Sequence, residues 1–297
     1  MSSRMQNIVS LAGIDTSGLS REDLDAIFNR ILSGQIHGIS FSAYLDHQAP
    51  GSQVSEAQVQ TRMDIITPYV KWARSFSCTE GNEYIPQIAH RNGLKTLVGA
   101  WLGTDEEKNE NEIKGVIEVA RAGFADIVAV GNEVLLRGDL TKKQLLEIIR
   151  RVKDELPNVP VGYVDAYYEF TVNPEIVDAC DIILANCYPF WEGIAIEHSH
   201  LYLKEMYRRA VKAGGGKKVI ISETGWPNLG SPVKDAVPSF ENAQKYFIDT
   251  LIWAAEEGIE VFYFASFDEV WKIDVEGDVG AYWGLWDKDG NPKYNFQ

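Results

Sequence analysis

One repeated alternation constrains this chain more than any other feature. Eight short apolar runs, rich in β-branched and aromatic residues, are each followed by polar residues and then, as a rule, by a longer stretch of helical character. The runs are His37–Tyr44, Tyr69–Phe76, Lys95–Trp101, Ala125–Gly131, Val159–Asp165, Asp181–Tyr188, Lys218–Ser222 and Ile259–Ser266. Apolar runs of this length read as strands buried on both faces, the condition of a parallel sheet covered by helices. Among the intervening segments, Leu140–Leu156 starts after Asp139 and has apolar positions at Leu145, Ile148, Ile149 and Val152, close to helical spacing. Glu112–Ala122 and Glu241–Glu257 behave alike, and His200–Ala213 stops at Gly214-Gly215-Gly216. Asn173–Ala179 leaves room for only a short helix. Eight such units in a 297-residue chain match an α/β fold, a single-domain (β/α)8 TIM barrel. Residues 1–36 then form an N-terminal segment and a helix leading into the barrel. A doubly wound sheet competes, but it usually has fewer strands and often a Gly-rich phosphate loop, and no G-x-G-x-x-G follows His37–Tyr44.

In a barrel, chemistry gathers at the C-terminal ends of the strands. The fourth run ends Gly131-Asn132-Glu133, and the seventh ends Ser222-Glu223-Thr224-Gly225-Trp226-Pro227. Each sets a carboxylate directly after apolar residues, where burial is costly without a role or a partner. Either glutamate alone reads equally well as an ion-pair residue. Together, on strands three places apart in a ring of eight, they can face each other across the barrel mouth. Two facing carboxylates, one protonated and one ionised, are what retaining glycoside hydrolysis requires.

Gly131-Asn132-Glu133, Asn186-Cys187-Tyr188-Pro189-Phe190-Trp191 and Ser222-Glu223-Thr224-Gly225-Trp226-Pro227, in this order, resemble glycoside hydrolase family 17, enzymes acting on β-1,3-glucans. The resemblance runs from Gly38 to about Lys293. It implies a retaining enzyme with Glu133 as acid/base and Glu223 as nucleophile, and no cofactor or metal. It also implies that Arg74 lies near the nucleophile. Asn132 is placed to bond a sugar 2-hydroxyl, and the Tyr188 hydroxyl to orient Glu223. Tyr44, Asp165, Asn186, Trp191, Trp226, Glu269 and Trp271 close other runs or follow them, and are expected to bind substrate. The segments Phe267–Lys272 and Ala281–Asp287 look more like the fungal and bacterial glucanosyltransferase branch, although Val270 stands where those relatives often have Pro. Expected partners are therefore a β-1,3-glucan or laminari-oligosaccharide donor and acceptor, with hydrolysis to water as the alternative and a non-catalytic glucan-binding barrel as a remote one. The expected state is a monomer, and the expected place is outside the cell, at the wall or in the periplasm.

Composition excludes other classes. With 28 Lys+Arg against 43 Asp+Glu the net charge is −15, which disfavours nucleic acid, anionic membranes and polyanionic substrates. Neutral glucans need no charge, and 8 Trp, 13 Tyr and 12 Phe offer rings for sugars to stack on, though most large aromatics serve as core. Cys78, Cys180 and Cys187 read as buried free thiols, not a disulfide framework. His37, His47, His90, His198 and His200 show no metal spacing, and His198-Ser199-His200 reads as a solvated loop. Ser222 sits in no G-x-S-x-G elbow. The acidic run Asp105–Glu112 opens a helix rather than a calcium loop. The start, Met1–Ser10, lacks a sustained apolar core, so no signal peptide is expected, and no run is long enough to span a membrane.

Overall fold

The computed structural model describes Thr16 and residues 18–294. The expectation for the start of the chain, no signal peptide in Met1–Ser10, lies outside the described residues. All eight apolar runs form strands: β1 (Ile36–Ser40), β2 (Val70–Ser75), β3 (Lys95–Ala100), β4 (Ile127–Asn132), β5 (Val161–Ala166), β6 (Ile182–Asn186), β7 (Val219–Thr224) and β8 (Val261–Tyr263). They pair in sequence order, all parallel, and β8 closes on β1. The result is a (β/α)8 TIM barrel.

Helices start where side chains satisfy their first free amides. Ser20 and Asp23 form a reciprocal capping box before α1 (Arg21–Ser33), the helix leading into β1. Asp105 caps Glu106–Arg121 as the acidic run suggests. The helix after β4 is capped by Thr141, not Asp139, and spans Lys142–Glu155. Ser239 opens Phe240–Glu257, which ends at a left-handed Gly258. The β5–β6 connection holds two short helices, Glu169–Val172 and Pro174–Ala179. His198 and His200 are not a solvated pair. Both lie in the helix Ile196–Ala213, where His200 is buried against Trp253 while His198 faces out. The apolar face of that helix has a broader reach than the run His200–Ala213 suggests, so the histidine falls inside it.

Two apolar cores result. The smaller fills the barrel with Leu97, Ile127, Ala129, Val164, Ile182, Leu184, Ile220 and Phe262. The larger lies between the strands' outer faces and the helices. Gly38 is required by the first core, because a Cβ there would stand 2.6 Å from the Phe262 ring. All three cysteines are buried and free. Among the described residues no helix is long and apolar enough to cross a membrane.

Candidate active site

Glu133 and Glu223 line one cavity of about 300 Å³ at the C-terminal end of the barrel. Backbone irregularities aim both. Along β4 the pairing steps from Ala129 opposite Gly162 to Asn132 opposite Val164, so one extra residue is accommodated before Glu133. Gly131 takes φ +82° there, and Glu133 itself sits in the left-handed region at φ 52°. Along β7 the pairing steps from Ile221 opposite Ala185 to Glu223 opposite Asn186, a bulge at Ser222. Bulges re-aim side chains beside active sites. A regular strand would send Ser222 and Glu223 to opposite faces.

A buried hydrogen-bond network holds the two carboxylates differently. Arg74, on β2, donates to Glu223 Oε1 at 2.6 Å, to the Ser222 carbonyl at 3.0 Å and to Asn132 Oδ1 at 2.8 Å. Tyr188 donates to the other Glu223 oxygen at 2.8 Å. Burial, reinforced by the Glu223 charge, keeps the Tyr188 phenol well above its usual range, so it remains a donor. Glu223 thus has both oxygens engaged by donors, one of them a guanidinium. Among the described residues no cation pairs with the Glu133 carboxylate. It accepts one bond, from the Asn186 amide at 2.8 Å, and the Asn186 oxygen takes the Ser222 hydroxyl at 2.8 Å. Burial, then the negative charge of Glu223, push Glu133 up to about 7. The two groups therefore differ in environment, one held by a cation and a phenol, the other by an amide in apolar surroundings.

The other sequence-stated residues divide. Arg74, Asn132, Asn186 and Tyr188 join the network, and Trp191, more than a third exposed, forms part of the cavity wall. Trp226 does not reach the cavity. It is buried between Phe190 and Tyr246, and its indole donates to the Val237 carbonyl at 3.0 Å. Asp165 is also fully buried, because alternation in β5 turns Val164 into the barrel and Asp165 outward. Glu269 is buried in an ion pair with Lys272 at 2.5 Å and accepts the Trp271 indole at 3.0 Å, so it shapes the loop after β8. Tyr44 and Trp271 meet edge to face at 6.3 Å beside β1, away from the cavity that holds the two glutamates.

Several wall residues carry no signal in the sequence beyond lying after a strand. Tyr167 and Tyr168 follow β5, Glu192 follows Trp191, and Phe264, Glu276 and Trp283 come from the connection after β8. Glu276 is pushed up to about 7 by burial, against the nearby Lys272 ammonium and with the charge of Glu223. Among the described residues no group of three or more His, Cys, Asp or Glu is arranged to hold a metal.

A (β/α)8 barrel with two glutamates of opposed environment over one cavity defines a class, the glycosidase-type barrels. Comparison with known proteins narrows it. Residues 38–284 match the model of the BtgE/BtgC glycoside hydrolase domain. A glucan 1,3-beta-glucosidase of Arthroderma benhamiae is 28% identical over 267 residues, 82% of this chain and 86% of that protein. A cell surface mannoprotein of Candida albicans is 27% identical over 270 residues, 86% of this chain and 67% of that one. Among solved structures, an active-site mutant of the Rhizomucor miehei β-1,3-glucanosyltransferase in complex with laminaritriose superposes with a TM-score of 0.80. It is 28% identical, with 89% of this chain and 98% of that chain covered. The chain belongs to the BtgE/BtgC glycoside hydrolase family, within glycoside hydrolase family 17.

Proposed function

We propose that this enzyme cleaves β-1,3-glucan with retention and passes the non-reducing-end chain to a second sugar, as a β-1,3-glucanosyltransferase. Glu223 attacks the anomeric carbon while Glu133 gives its proton to the departing glycosidic oxygen. This forms a glycosyl-enzyme ester and frees the reducing-end fragment. Glu133, now ionised, takes the proton of an acceptor hydroxyl as that oxygen displaces Glu223. The observation carrying this is the contrast across one cavity: Glu223 is fixed by Arg74 and Tyr188, and Glu133 is raised to about 7 with only Asn186 bonded to it. Asn132, fixed by Arg74, is left to meet the sugar 2-hydroxyl.

Transfer is supported by the Rhizomucor likeness over nearly that whole chain. It is supported too by a cavity wall that presents exposed Trp191 and half-buried Tyr168, a surface on which an acceptor ring can stack. Hydrolysis is the second reading, favoured by the glucosidase names of the curated relatives. Incubation with a laminari-oligosaccharide and chromatography of the products decides between them. Products longer than the donor are expected, and only shorter ones overturn transfer. Trapping of Glu223 by a 2-deoxy-2-fluoro glucoside, read by mass spectrometry, is expected. Labelling of another residue removes the nucleophile assignment. An extracellular or cell-wall setting fits a neutral polymeric substrate and the cell-surface relative.

A further inference from the structure

Asp165 is the one sequence-stated site residue that burial removes from the substrate and that no cation compensates. It is fully buried, yet among the described residues it makes no ion pair. Besides a backbone bond from Leu136, its bonds go to two places. One oxygen takes the backbone N–H of Ala166 at 2.8 Å. The other takes the Tyr163 hydroxyl in a very short contact. Tyr163 lies two residues earlier on β5, hence on the same outer face. Its hydroxyl oxygen in turn accepts the backbone N–H of Leu135 at 2.9 Å. Leu135 is the second residue after Glu133, in the one-turn helix Val134–Arg137 that starts from the left-handed Glu133. The Tyr163 ring also underlies the β4 bulge, 3.5 Å from where a Cβ at Gly131 would be.

A phenol free to rotate could point its hydrogen toward solvent or toward another acceptor. An adjacent carboxylate accepting that hydrogen fixes the rotor, so the oxygen's lone pairs face Leu135. The Asp165–Tyr163 pair therefore braces, from behind the sheet, the turn that presents Glu133. An uncompensated buried anion has a second effect, since a like charge nearby disfavours ionisation of a carboxyl.

Resting on the acid/base reading of Glu133, we propose that Asp165 is a positioning residue for Glu133: through Tyr163 it holds the Glu133 turn in place, and its negative charge adds to that of Glu223 in favouring a protonated acid for the first half-reaction. The charged and polar groups facing Glu133 are Glu223 from β7, Asn186 from β6 with Tyr188 just after it, Asp165 from β5, Tyr168 from the segment after β5, and Arg137 from its own turn. Those facing Asp165 are Tyr163, Glu133 and, from the segment after β5, Tyr168 and Glu169. Burial pushes Asp165 up to about 6, against the bonds from Tyr163, Ala166 and the Leu136 backbone.

The test compares Asp165→Asn and Tyr163→Phe with the wild type on two donors. On a laminari-oligosaccharide the alkaline limb of kcat/KM reports the acid. Asp165→Asn keeps an acceptor for Tyr163 but removes the charge, so that limb is expected to move to lower pH by about half a unit or more. Tyr163→Phe frees the turn and is expected to lower kcat about tenfold, with KM within about twofold. On a dinitrophenyl laminaribioside the leaving group needs no proton, and the first-turnover burst of dinitrophenolate is expected to stay at the wild-type rate in both variants. An unshifted limb in Asp165→Asn, or a burst slowed as much as the natural reaction, overturns the proposal. If Asp165→Asn does not fold, Tyr163→Phe decides on its own, and equal rates with wild type overturn it. Glu133→Ala with azide tests the underlying reading separately. Formation of a glucosyl azide upholds Glu133 as acid/base, whatever the other variants do, and its absence removes that assignment instead.

Discussion

At the residue scale the site turns on how two similar side chains are made unlike. Arg74 is the main agent for Glu223, a buried cation with a guanidinium broad enough to reach Glu223, Ser222 and Asn132 together. Glu223→Gln keeps the shape but not the nucleophile, and a loss of kcat of roughly a thousandfold or more is expected, with glucan binding retained in calorimetry. Arg74→Met leaves the buried Glu223 without its cation. Breaking such a pair from one side costs about 3–5 kcal/mol, and thermal melting should show it. The loss in the Arg74→Met, Glu223→Gln double variant should be less than the sum of the single losses, because the second change removes the charge that the first left exposed to apolar surroundings. Both glutamates were legible in the sequence, since a carboxylate ending an apolar run announces itself. Asp165 ended a run in the same manner but faces away from the cavity. The alternation of one short strand, and not residue type, separated the two cases.

Elements carry their own tests. Glu112, from the helix Glu106–Arg121, is buried and accepts four bonds: from the Ser77 hydroxyl at 2.5 Å, the Thr79 hydroxyl at 2.6 Å, the Cys78 amide at 2.9 Å and the Trp101 amide at 3.1 Å. It ties the loop after β2 to the end of β3. Glu112→Ala orphans these donors, and a loss of about 3 kcal/mol or more in denaturant melts is expected, with the Gln variant losing less. The packing of Ile196–Ala213 on Phe240–Glu257 encloses His200, whose ring nitrogens have no hydrogen-bond partner among the described residues. Burial, with the Lys204 charge, lowers it from the usual 6.5 to about 4. The sign follows directly: the unfolded chain takes the proton first, so stability is full above pH 6.5 and falls as pH drops from there toward about 4. The slope is about 1.4 kcal/mol per pH unit within that window. His200→Leu should flatten that part of the profile while leaving the lower-pH losses from Glu110 and Glu260, both held near 2 by cationic or histidine partners, in place. Helix existence was legible from periodicity. Which polar residue a helix face encloses was not, because it depends on the partner helix.

At the scale of the molecule, a net charge of −15 meets a neutral polymer. Binding then rests on stacking and hydrogen bonds, so KM for a laminari-oligosaccharide should change by less than about twofold over a tenfold rise in salt. A steep salt dependence would point to an anionic ligand instead. The order of eight strands, the closure of the barrel and the placing of two carboxylates at one end were decided by the sequence alone. Periodicity and strand-end chemistry are local properties, and a ring of parallel strands converts local position into a common rim. The tertiary structure decided what lies behind that rim and what lies on it. Two bulges turned Glu133 and Glu223 inward, Trp226 was claimed by Phe190 and Tyr246, and Glu276 and Trp283 came to the cavity from the far end of the chain. These outcomes depend on register and on packing between segments distant in sequence, and no local pattern encodes either.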